Sequence, residues 1–448
     1  LKQIEKKIKD KIAEKLDGIK IPVNGTVDQR WYYMAPLFLD PPGYATGWFN
    51  EDDNILTESD EDKSNNTLSP FLKHLQNLRK IYYDNGNGRV IGLGRKPDDL
   101  YDVLADMAIA SPAVCANRVY QSYAKGTYYP SFLPSQLAKR FIDMMNKTDS
   151  TAIVELACGK KSDDAHWKNV ITYCKQGNFQ SVIDEYAHLL INGYDAGNTV
   201  EKLHKDMVGT MNMRTTPYEF DTWQNFSNTA KGQKTVASRI RTHFAVAFTK
   251  GDGNDKDTNR KKVVRGAFNS PFRPFVLTST SIGQEGLDFH NYCRRIVHWN
   301  LPSNPIDLEQ REGRINRFEC LAIRQNVAKR YGNIVFKENV WNELFQEAAE
   351  KEKTDTSSEL IPYWGLQETE DMIRIERIVP MYPFSRDQVA YDRLIKILSL
   401  YRLTLGQARQ EELLEYLMQN NGEQEELTDL FMNLSPFFKK CENEAGGQ

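Results

Sequence analysis

The sequence predicts an α/β domain flanked by large α-helical regions, and three observations support this fold class. First, strand-like segments rich in aromatic and β-branched residues alternate with helix-like segments between residues 205 and 335. Second, helical periodicity fills most of residues 70–205 and returns after Phe318. Third, 448 residues are enough for about two to four domains. Strands that alternate with helices at this spacing are typical of a parallel sheet.

The composition is that of an ordinary globular protein, with 40% hydrophobic and 27% charged residues. No apolar segment reaches the roughly 18 residues that a membrane-spanning helix needs, so we expect no membrane partner. The six cysteines form no CxxC pair, and the seven histidines show no HExxH spacing. We therefore expect reduced thiols, a cytoplasmic location and no metal site.

The charge is unevenly distributed, although the net charge is only −3. Between Lys231 and Arg265 there are ten lysines and arginines but only three acidic residues, whereas the sequence after Glu411 is acidic. A local basic surface of this kind can bind phosphates even when the whole chain is nearly neutral.

The first 204 residues are predicted to be mostly helical. Apolar residues spaced four apart in residues 1–16 form one stripe of a connecting helix. Residues 50–69 are acidic and polar, which indicates a surface loop. Further helical periodicity marks residues 70–83, residues 98–125 with a break at Ser111-Pro112, and three segments within 135–195.

Two segments look like nucleotide-binding motifs but fail the chemical requirements. In NGNGRVIGLGRK (85–96), Pro97 follows Lys96, whereas a phosphate-binding loop needs a hydroxyl residue there as a magnesium ligand. We interpret this segment as a turn with an incidental glycine cluster. VIDEYAHLL (182–190) places its histidine one residue too late for a DExH box, and its amphipathic pattern indicates a structural helix.

The predicted α/β region contains four candidate strands and a short basic helix. The strands are TPYEFDTW (216–223), RTHFAVAFT (241–249), residues 275–281 and residues 295–299, and the helix is RKKVVRGAF (260–268). Beyond Phe318, helices are expected at 320–331, 338–353, 386–403 and 407–419.

A proline-capped helix over residues 303–317 is the first candidate functional element. Ser303 or Asn304 can cap its N-terminus, and Pro305 suits its first turn. Asp307 near this end favours the positive pole of the helix dipole. These signals together define where the helix begins.

Two arginines and a glutamine are expected on one face of this helix. Gln310, Arg314 and Arg317 have the spacing i, i+4 and i+7. Gly313 inside a helix costs about 1 kcal/mol relative to alanine, which favours a close approach by another group. Guanidinium groups bind phosphate oxygens through two hydrogen bonds, so the pattern suits a polyphosphate. Taken alone, however, the pattern is better explained by a surface helix whose arginines pair with its own glutamates.

The segment TSTSIGQEGLD (278–288) changes this interpretation. We expect a strand that ends in hydroxyl residues and enters a turn bracketed by glycines. Hydroxyls and free backbone N–H groups at the carboxyl end of a strand suit contacts with phosphates. Gly283 and Gly286 permit a tight turn. Asp288 can then orient an arginine or a ribose hydroxyl.

The two segments resemble motifs V and VI of superfamily-2 helicases and translocases, and they are most similar to the Swi/Snf-type branch. TSTSIGQEGLDF is similar to motif V, and QREGRINR (310–317) satisfies the QxxGRxxR form of motif VI. The two motifs occur in order and about 22 residues apart, which is more specific than either motif alone. Further segments resemble a bacterial subgroup of large helicase-related proteins: WYYMAPLFLD, AFNSPFRPFVL, HWNLPSNPIDLEQREGR and YRLTLGQARQEELLEYL.

The resemblance implies a RecA-like second motor lobe. In such motors a first lobe binds most of the ATP and Mg²⁺, and the second lobe supplies arginine fingers that stabilise the transferring phosphoryl group. Arg314 and Arg317 match the finger positions, with Gln310 beside them. These three residues are the predicted catalytic set.

The resemblance also implies roles for the residues around the predicted turn. Thr280 and Ser281 match positions that contact the nucleic-acid backbone. Gly286 and Asp288 match positions that couple this contact to the bound nucleotide, and Gly313 lies on the nucleotide side of motif VI.

The basic stretch suits a sequence-independent contact with DNA phosphates in a translocase. Lys261, Lys262 and Arg265 are its candidate residues. A solvated helix face is the alternative explanation of the same charges.

Two motifs of a complete motor do not occur in the sequence. There is no Walker A loop and no DExx box among the 448 residues. Because the chain also begins with Leu1, we expect a fragment of a larger protein whose first lobe precedes it, and we expect no ATP hydrolysis by this chain alone. The opening strand of the second lobe is best matched by TPYEFDTW.

The resemblance predicts three domains. These are a mostly helical connector or insertion at 1–204, a RecA-like lobe at 205–335 and a helical C-terminal domain at 336–448. The predicted function is the C-terminal part of an ATP-dependent DNA helicase or translocase. Its predicted partners are duplex DNA and the N-terminal RecA-like lobe of the same protein. The alternative is a non-catalytic module that binds nucleic acid or protein on a RecA-like scaffold.

Two histidines and two aromatic residues are further candidates. His290 and His298 flank the predicted turn, and a buried structural role is favoured over a place in the cleft. Tyr363 and Trp364 are expected in the core of the C-terminal domain, with base stacking as the less favoured role.

Overall fold

A computed structural model describes most of the chain as two compact units, Leu1–Asn212 (unit 1) and Met213–Gln448 (unit 2). The described residues are 2–17, 21–41, 43–51, 70–84, 92–159, 165–192, 200–211, 216–220, 222–233, 238–242, 263–279, 288–337, 339–353, 358–403, 412–413 and 416. Within these ranges no helix is both long enough and apolar enough to cross a membrane. The predicted division into three domains stays a prediction.

The described part of unit 1 is mainly helical. Its helices are α1 (Lys2–Asp17), α2 (Trp31–Leu39), α3 (Tyr44–Glu51), α4 (Pro70–Asp84), α5 (Leu100–Ala110), α6 (Pro112–Ala124), α7 (Phe132–Met145), α8 (Thr148–Cys158), α9 (His166–Gln176), α10 (Phe179–Asn192) and α11 (Val200–Met211). The predicted helices at 1–16 and 70–83 are confirmed, as is the break before Pro112. Residues 132–192 form four helices rather than three, because extended backbone at Lys147 separates α7 from α8.

The apolar stripe of α1 forms part of the core of unit 1. Ile12 and Leu16 are buried together with Trp31 of α2 and Leu100 of α5. Full burial of a leucine side chain contributes roughly 1.5–3 kcal/mol to stability. Ile8 packs against this cluster, whereas Ile4 is 57% exposed, so the predicted stripe is covered except at its first residue.

The glycine cluster at 85–96 contains one position that excludes a side chain. Arg95 N donates to Thr26 O at 3.1 Å, and Asp28 N donates to Arg95 O at 2.8 Å. A Cβ atom on Gly94 would lie 2.8 Å from Thr26 O, closer than real Cβ contacts allow. The interpretation of this cluster as incidental is therefore wrong for Gly94, which permits two backbone segments to approach.

Unit 2 contains strands and helices in mixed order. Its elements are β1 (Thr216–Phe220), α12 (Trp223–Ala230), β2 (Ser238–Thr242), β3 (Arg295–Val297), α13 (Pro305–Glu312), α14 (Leu321–Tyr331), α15 (Val340–Glu352), β4 (Glu376–Ile378) and α16 (Asp387–Leu403). Residues 263–268 are also helical, within the predicted basic helix. The helices expected at 320–331, 338–353 and 386–403 are confirmed, whereas most of 407–419 lies outside the described residues.

The first two strands pair differently from the prediction. β1 and β2 are antiparallel, with Thr216 opposite Thr242 and Phe220 opposite Ser238, whereas a parallel sheet was expected. The connecting helix α12 has eight residues and spans only about 12 Å. The two strand ends that the connection joins lie opposite each other, Phe220 beside Ser238, so the chain does not have to run back along the strand as it must in a parallel pair.

A parallel pair does form further along unit 2. β3 lies beside β4 in the register Arg295–Glu376, Ile296–Arg377 and Val297–Ile378. β3 was predicted, but its partner was not. Residues 275–279 form no strand, contrary to the prediction. Phe275 and Val276 are 73% and 75% exposed, and β-propensity produces a strand only where neighbours cover the side chains.

Two apolar clusters pack together the helices of unit 2 that lie before and after the arginines in the sequence. In the first, α14 packs against α15 around Val327 and Phe345. In the second, Leu308 of α13 is buried with Leu394 and Leu398 of α16. The helix that precedes the arginines is therefore covered by α16.

Candidate functional site

The start of α13 follows from its local sequence. Asn304 is the N-cap, and its side-chain oxygen accepts a hydrogen bond from Ile306 N at 2.9 Å. Pro305 occupies the first turn, where its missing N–H group costs nothing. Of the two predicted caps, the structure uses Asn304.

The end of α13 differs from the prediction. The helix stops at Glu312, and residues 313–315 form a turn. Gln310, Arg314 and Arg317 therefore do not share one helical face. Arg314 O accepts a hydrogen bond from Phe289 N at 2.9 Å, so a contact with another segment uses the carbonyl that a continuing helix would need.

Gly313 lies at the C-cap of α13 rather than inside a helix. Its φ of −59° is accessible to any residue. The penalty for a glycine in mid-helix therefore does not apply, and the inference drawn from it is wrong. A Cβ atom here would lie 3.2 Å from Glu309 O, so a side chain would crowd the helix end only slightly.

Residues 313–317, called the arginine turn below, meet the segment that begins at Asp288. Arg317 Nε donates to Asp288 Oδ1 at 3.2 Å. Asn269 Nδ2 donates to Asp288 O at 2.7 Å and so fixes the backbone of this segment. With the Phe289–Arg314 hydrogen bond, these contacts form one junction between the two predicted motifs. Of the two roles considered for Asp288, the structure shows the contact with an arginine.

The three predicted catalytic side chains have different surroundings. Gln310 is exposed, and Arg317 is 42% exposed beside Asp288. Arg314 is half-buried, and its Nε is buried without a hydrogen-bond partner among the residues that the structure describes. A buried guanidinium N–H without a partner is costly, so Arg314 is better suited than Arg317 to accept an anionic ligand. Arg311 Nε is likewise buried without a partner among the described residues, but its Nη1 donates to Asn300 O.

Several predicted contact residues lie outside the described part of the chain. Thr280, Ser281, Gly286, Lys261 and Lys262 are in this group. Arg265 is described, and it is exposed in the helical segment 263–268. The nucleic-acid roles assigned to these positions stay predictions.

The two histidines near the junction are buried to different extents. His298 is 2% exposed, and its Nε2 lies 3.2 Å from Glu312 Oε1. Its favoured structural role therefore agrees with its position. His290 follows the junction and is half-buried. Burial lowers the pKa of His290, and the nearby arginines Arg324 and Arg317 lower it further against the opposing effect of Asp288.

A carboxylate network holds Glu312 at the end of α13. Arg377 of β4 donates from Nε to Oε1 at 2.5 Å and from Nη2 to Oε2 at 2.6 Å. His298 approaches the same carboxylate from the end of β3. Arg377 Nη1 also donates to Tyr391 Oη of α16 at 3.2 Å. The sequence carries no signal for this network, because Glu312 and Arg377 are 65 positions apart and no local motif links them.

The network changes the acidity of Glu312. Burial alone raises the pKa of this carboxyl group, but the hydrogen bonds from His298 and Arg377 outweigh burial and lower the pKa to about 2. Glu312 is therefore ionised at neutral pH and forms a two-pronged ion pair with Arg377.

A buried arginine supports the residues that follow the junction. Arg324 of α14 is fully buried. Its guanidinium donates to Glu319 O at 2.6 Å and to Asn291 O. It therefore ties the segment after Asp288 to the segment after the arginine turn.

No group of three or more His, Cys, Asp or Glu residues suited to a metal ion occurs among the described residues. The Asp288 carboxylate is engaged by Arg317.

The comparison with protein-family models supports the assignment of this region. Residues 222–319 match the family described as helicase conserved C-terminal domain. This segment of unit 2 is therefore similar to helicase C-terminal domains. Domains of this family have a RecA-like fold and interact with nucleic acid. The comparisons with curated proteins and with solved structures found no match. The matched segment of the helicase domain contains the junction, whereas Arg377 and α16 lie beyond it.

The lowered pKa of Glu312 predicts how the stability of the folded protein depends on pH. A carboxyl group whose pKa is lowered by folding stabilises the folded state above its ordinary pKa of 4.5. This contribution is lost as the pH falls from about 4.5 towards 2. Because the side chain is 22% exposed and solvent screens part of the effect, we expect Glu312→Gln to cost about 1–3 kcal/mol at pH 7. The cost should vanish near pH 2.

Urea unfolding of the wild type and the variant at several pH values measures this difference in stability. Hydrogen exchange of peptides that cover residues 295–312 serves as the probe, so that the measurement reports on unit 2. Glu368→Gln is the control, since that carboxylate is 77% exposed and lies 3.7 Å from Arg374. If the free energy of unfolding of Glu312→Gln changes with pH in parallel with that of the wild type, the stabilising role of the network is contradicted.

Proposed function

We propose that unit 2 is the second motor lobe of an ATP-dependent DNA translocase or helicase of the Swi/Snf-type branch of superfamily 2. The observation that supports this most strongly is the junction between Asp288–Phe289 and the arginine turn. It joins the segment predicted to contact DNA to the segment predicted to contact the nucleotide.

Arg314 is proposed as the principal arginine finger. Its Nε is buried and makes no hydrogen bond to any described residue, so phosphate oxygens would satisfy a group that the described residues leave unsatisfied. A finger of this kind stabilises the negative charge on the transferring phosphoryl group and typically contributes about 10³–10⁵ in rate.

Arg317 is proposed to couple the two ligand-binding segments. It already pairs with Asp288, and this pair is exposed enough for either side chain to exchange its partner. A nucleotide phosphate that attracts Arg317 would release Asp288, and the segment at 278–288 could then change its contact with DNA. Gln310 is exposed one turn before Arg314 and can approach the same phosphate.

The DNA contacts are proposed for the hydroxyls of Thr280 and Ser281 and for the basic group Lys261, Lys262 and Arg265. Such contacts bind the phosphate backbone without reading sequence, and they weaken with salt. Movement along duplex DNA is proposed rather than strand separation, because motors of the Swi/Snf type often translocate without unwinding.

The opposite wall of the nucleotide site is proposed to come from a first lobe. The described carboxylates form no magnesium site, and the sequence has no Walker A loop. ATP with Mg²⁺ would supply the phosphoryl group and neutralise part of its charge. The contribution of this chain would be to place Arg314 and Arg317 against that charge.

The first test concerns Arg314. In the protein that contains both lobes, Arg314→Ala should reduce kcat for DNA-stimulated ATP hydrolysis by about 10³-fold or more, because the transition-state charge loses its finger. DNA affinity should stay within about twofold, since the finger does not contact DNA. Phosphate release with saturating duplex DNA measures the first quantity, and fluorescence anisotropy measures the second.

Arg311→Ala is the matched control for this test. Arg311 lies three residues earlier, and its Nε is buried without a partner among the described residues, as that of Arg314 is. Its Nη1, however, donates to Asn300 O at 3.0 Å, so the protein itself engages this guanidinium. Its removal should leave kcat nearly unchanged. Full ATPase activity of Arg314→Ala would refute the finger assignment and favour the non-catalytic interaction module.

A second test concerns this chain by itself. Without the phosphate-binding loop of a first lobe, the 448 residues should release no phosphate from ATP above the buffer background, with or without duplex DNA. The two-lobed protein in the same assay is the positive control. Turnover by the chain that disappears in its Arg314→Ala variant would show that the site is complete without a first lobe.

A further inference from the structure

The carboxylate network reaches the arginine turn from outside the matched helicase domain. The family match ends at residue 319, whereas Arg377 lies in β4 and Tyr391 in α16. Glu312 is the last residue of α13 and directly precedes the turn. The network therefore contacts the turn at the point where the chain leaves the helix.

The contact between Arg377 and Glu312 defines an orientation as well as a charge pairing. Two guanidinium nitrogens bind two different carboxylate oxygens, at 2.5 and 2.6 Å. Such a two-pronged pair fixes the plane of the carboxylate relative to the guanidinium. The side chains are only 29% and 22% exposed, so solvent screens the pair less than a surface ion pair.

Arg377 is itself firmly placed. Hydrogen bonds on both sides of it join β4 to β3, from Glu376 N to Arg294 O and from His298 N to Ile378 O, each 2.9 Å long. Its Nη1 donates to the hydroxyl of Tyr391 on α16. Because α16 also packs against Leu308, the C-terminal segment holds α13 at its middle and at its end.

The direction of the Arg314 side chain depends on this support. The turn is held through its backbone, by Gly313 N to Glu309 O at 2.7 Å and by Phe289 N to Arg314 O. The side-chain Nε has no hydrogen-bond partner among the described residues. Because Ile315 N and Asn316 N donate to Glu312 O at 3.0 and 3.1 Å, a shift of Glu312 would carry the turn and Arg314 with it. A displacement of about 1 Å can cost roughly 10²-fold in rate.

We propose that Arg377 is a positioning residue that acts through Glu312 to hold the arginine turn in its catalytic geometry. This inference rests on the proposed function of the turn as a source of arginine fingers. It assigns the segment around β4 and α16, beyond the helicase domain, a part in ATP hydrolysis.

The test uses the two-lobed protein and measures kcat and KM for ATP with saturating duplex DNA. Arg377→Ala should lower kcat by about 10–100-fold, because the finger is misplaced in the transition state. KM for ATP and affinity for DNA should stay within about twofold, since Arg377 contacts neither ligand. Arg377→Lys should recover part of the lost kcat, as lysine restores the charge but only one prong of the contact.

Arg374→Ala is the matched control, because Arg374 precedes β4, is 64% exposed and lies 3.7 Å from Glu368. It should have wild-type kcat. Glu312→Gln tests the same contact from the other side if Arg377→Ala does not fold. The amide keeps one acceptor oxygen but loses the ion pair, so a fall in kcat of at least about tenfold is expected.

The outcomes separate this inference from the function on which it rests. If Arg314→Ala abolishes hydrolysis while folded Arg377→Ala or Glu312→Gln retains wild-type kcat, the positioning role is wrong and the finger stands. A loss in Arg377→Ala that appears only in KM or in DNA affinity also overturns the positioning role. If Arg314→Ala is fully active, the proposed function itself fails and the positioning inference fails with it.

Discussion

The backbone hydrogen bond from Phe289 to Arg314 is the constraint on which the candidate site depends. It gives the Arg314 carbonyl a partner outside the helix, at a point where α13 has already ended at Glu312 and the arginines lie in a turn. Once the chain leaves the helix, Arg317 can reach Asp288, and Ile315 is buried below the turn. A continuous helix would have carried the two arginines along its axis and away from the segment at 278–288. The loss of helical regularity thus creates the junction.

The arginines of this region differ in the groups that their side chains contact. Asp288 engages Arg317, and Glu312 engages Arg377. Arg324 is buried, and its guanidinium donates to the backbone carbonyl oxygens of Glu319 and Asn291. Arg314 and Arg317 are the arginines proposed to contact phosphate. Of these two, Arg314 has a buried nitrogen, Nε, for which the described residues supply no acceptor. This difference in partners is the physical basis for giving Arg314 and Arg317 different roles.

Local signals in the sequence predicted the parts of the site that depend on neighbouring residues. Asn304 and Pro305 indicated the start of α13, and the apolar pattern indicated β3, α14 and α16. The end of α13 could not be predicted, because it depends on Phe289, which is 25 positions away from its partner Arg314. β4 has three residues and weak propensity, so only its pairing with β3 defines it. The ion pair of Glu312 with Arg377 has no sequence signature, since one partner belongs to a helix end and the other to that unpredicted strand.

The central claim is that the junction couples DNA contact to the arginine turn. The most direct measurement is a double-mutant cycle on the DNA stimulation of ATPase activity, defined as kcat with duplex DNA divided by kcat without it. Asp288→Ala, Arg317→Ala and the double variant are compared with the wild type in the two-lobed protein. If the pair acts as one coupling unit, each single variant loses most of the stimulation and the double variant loses little more. Independent losses that multiply in the double variant would contradict the account.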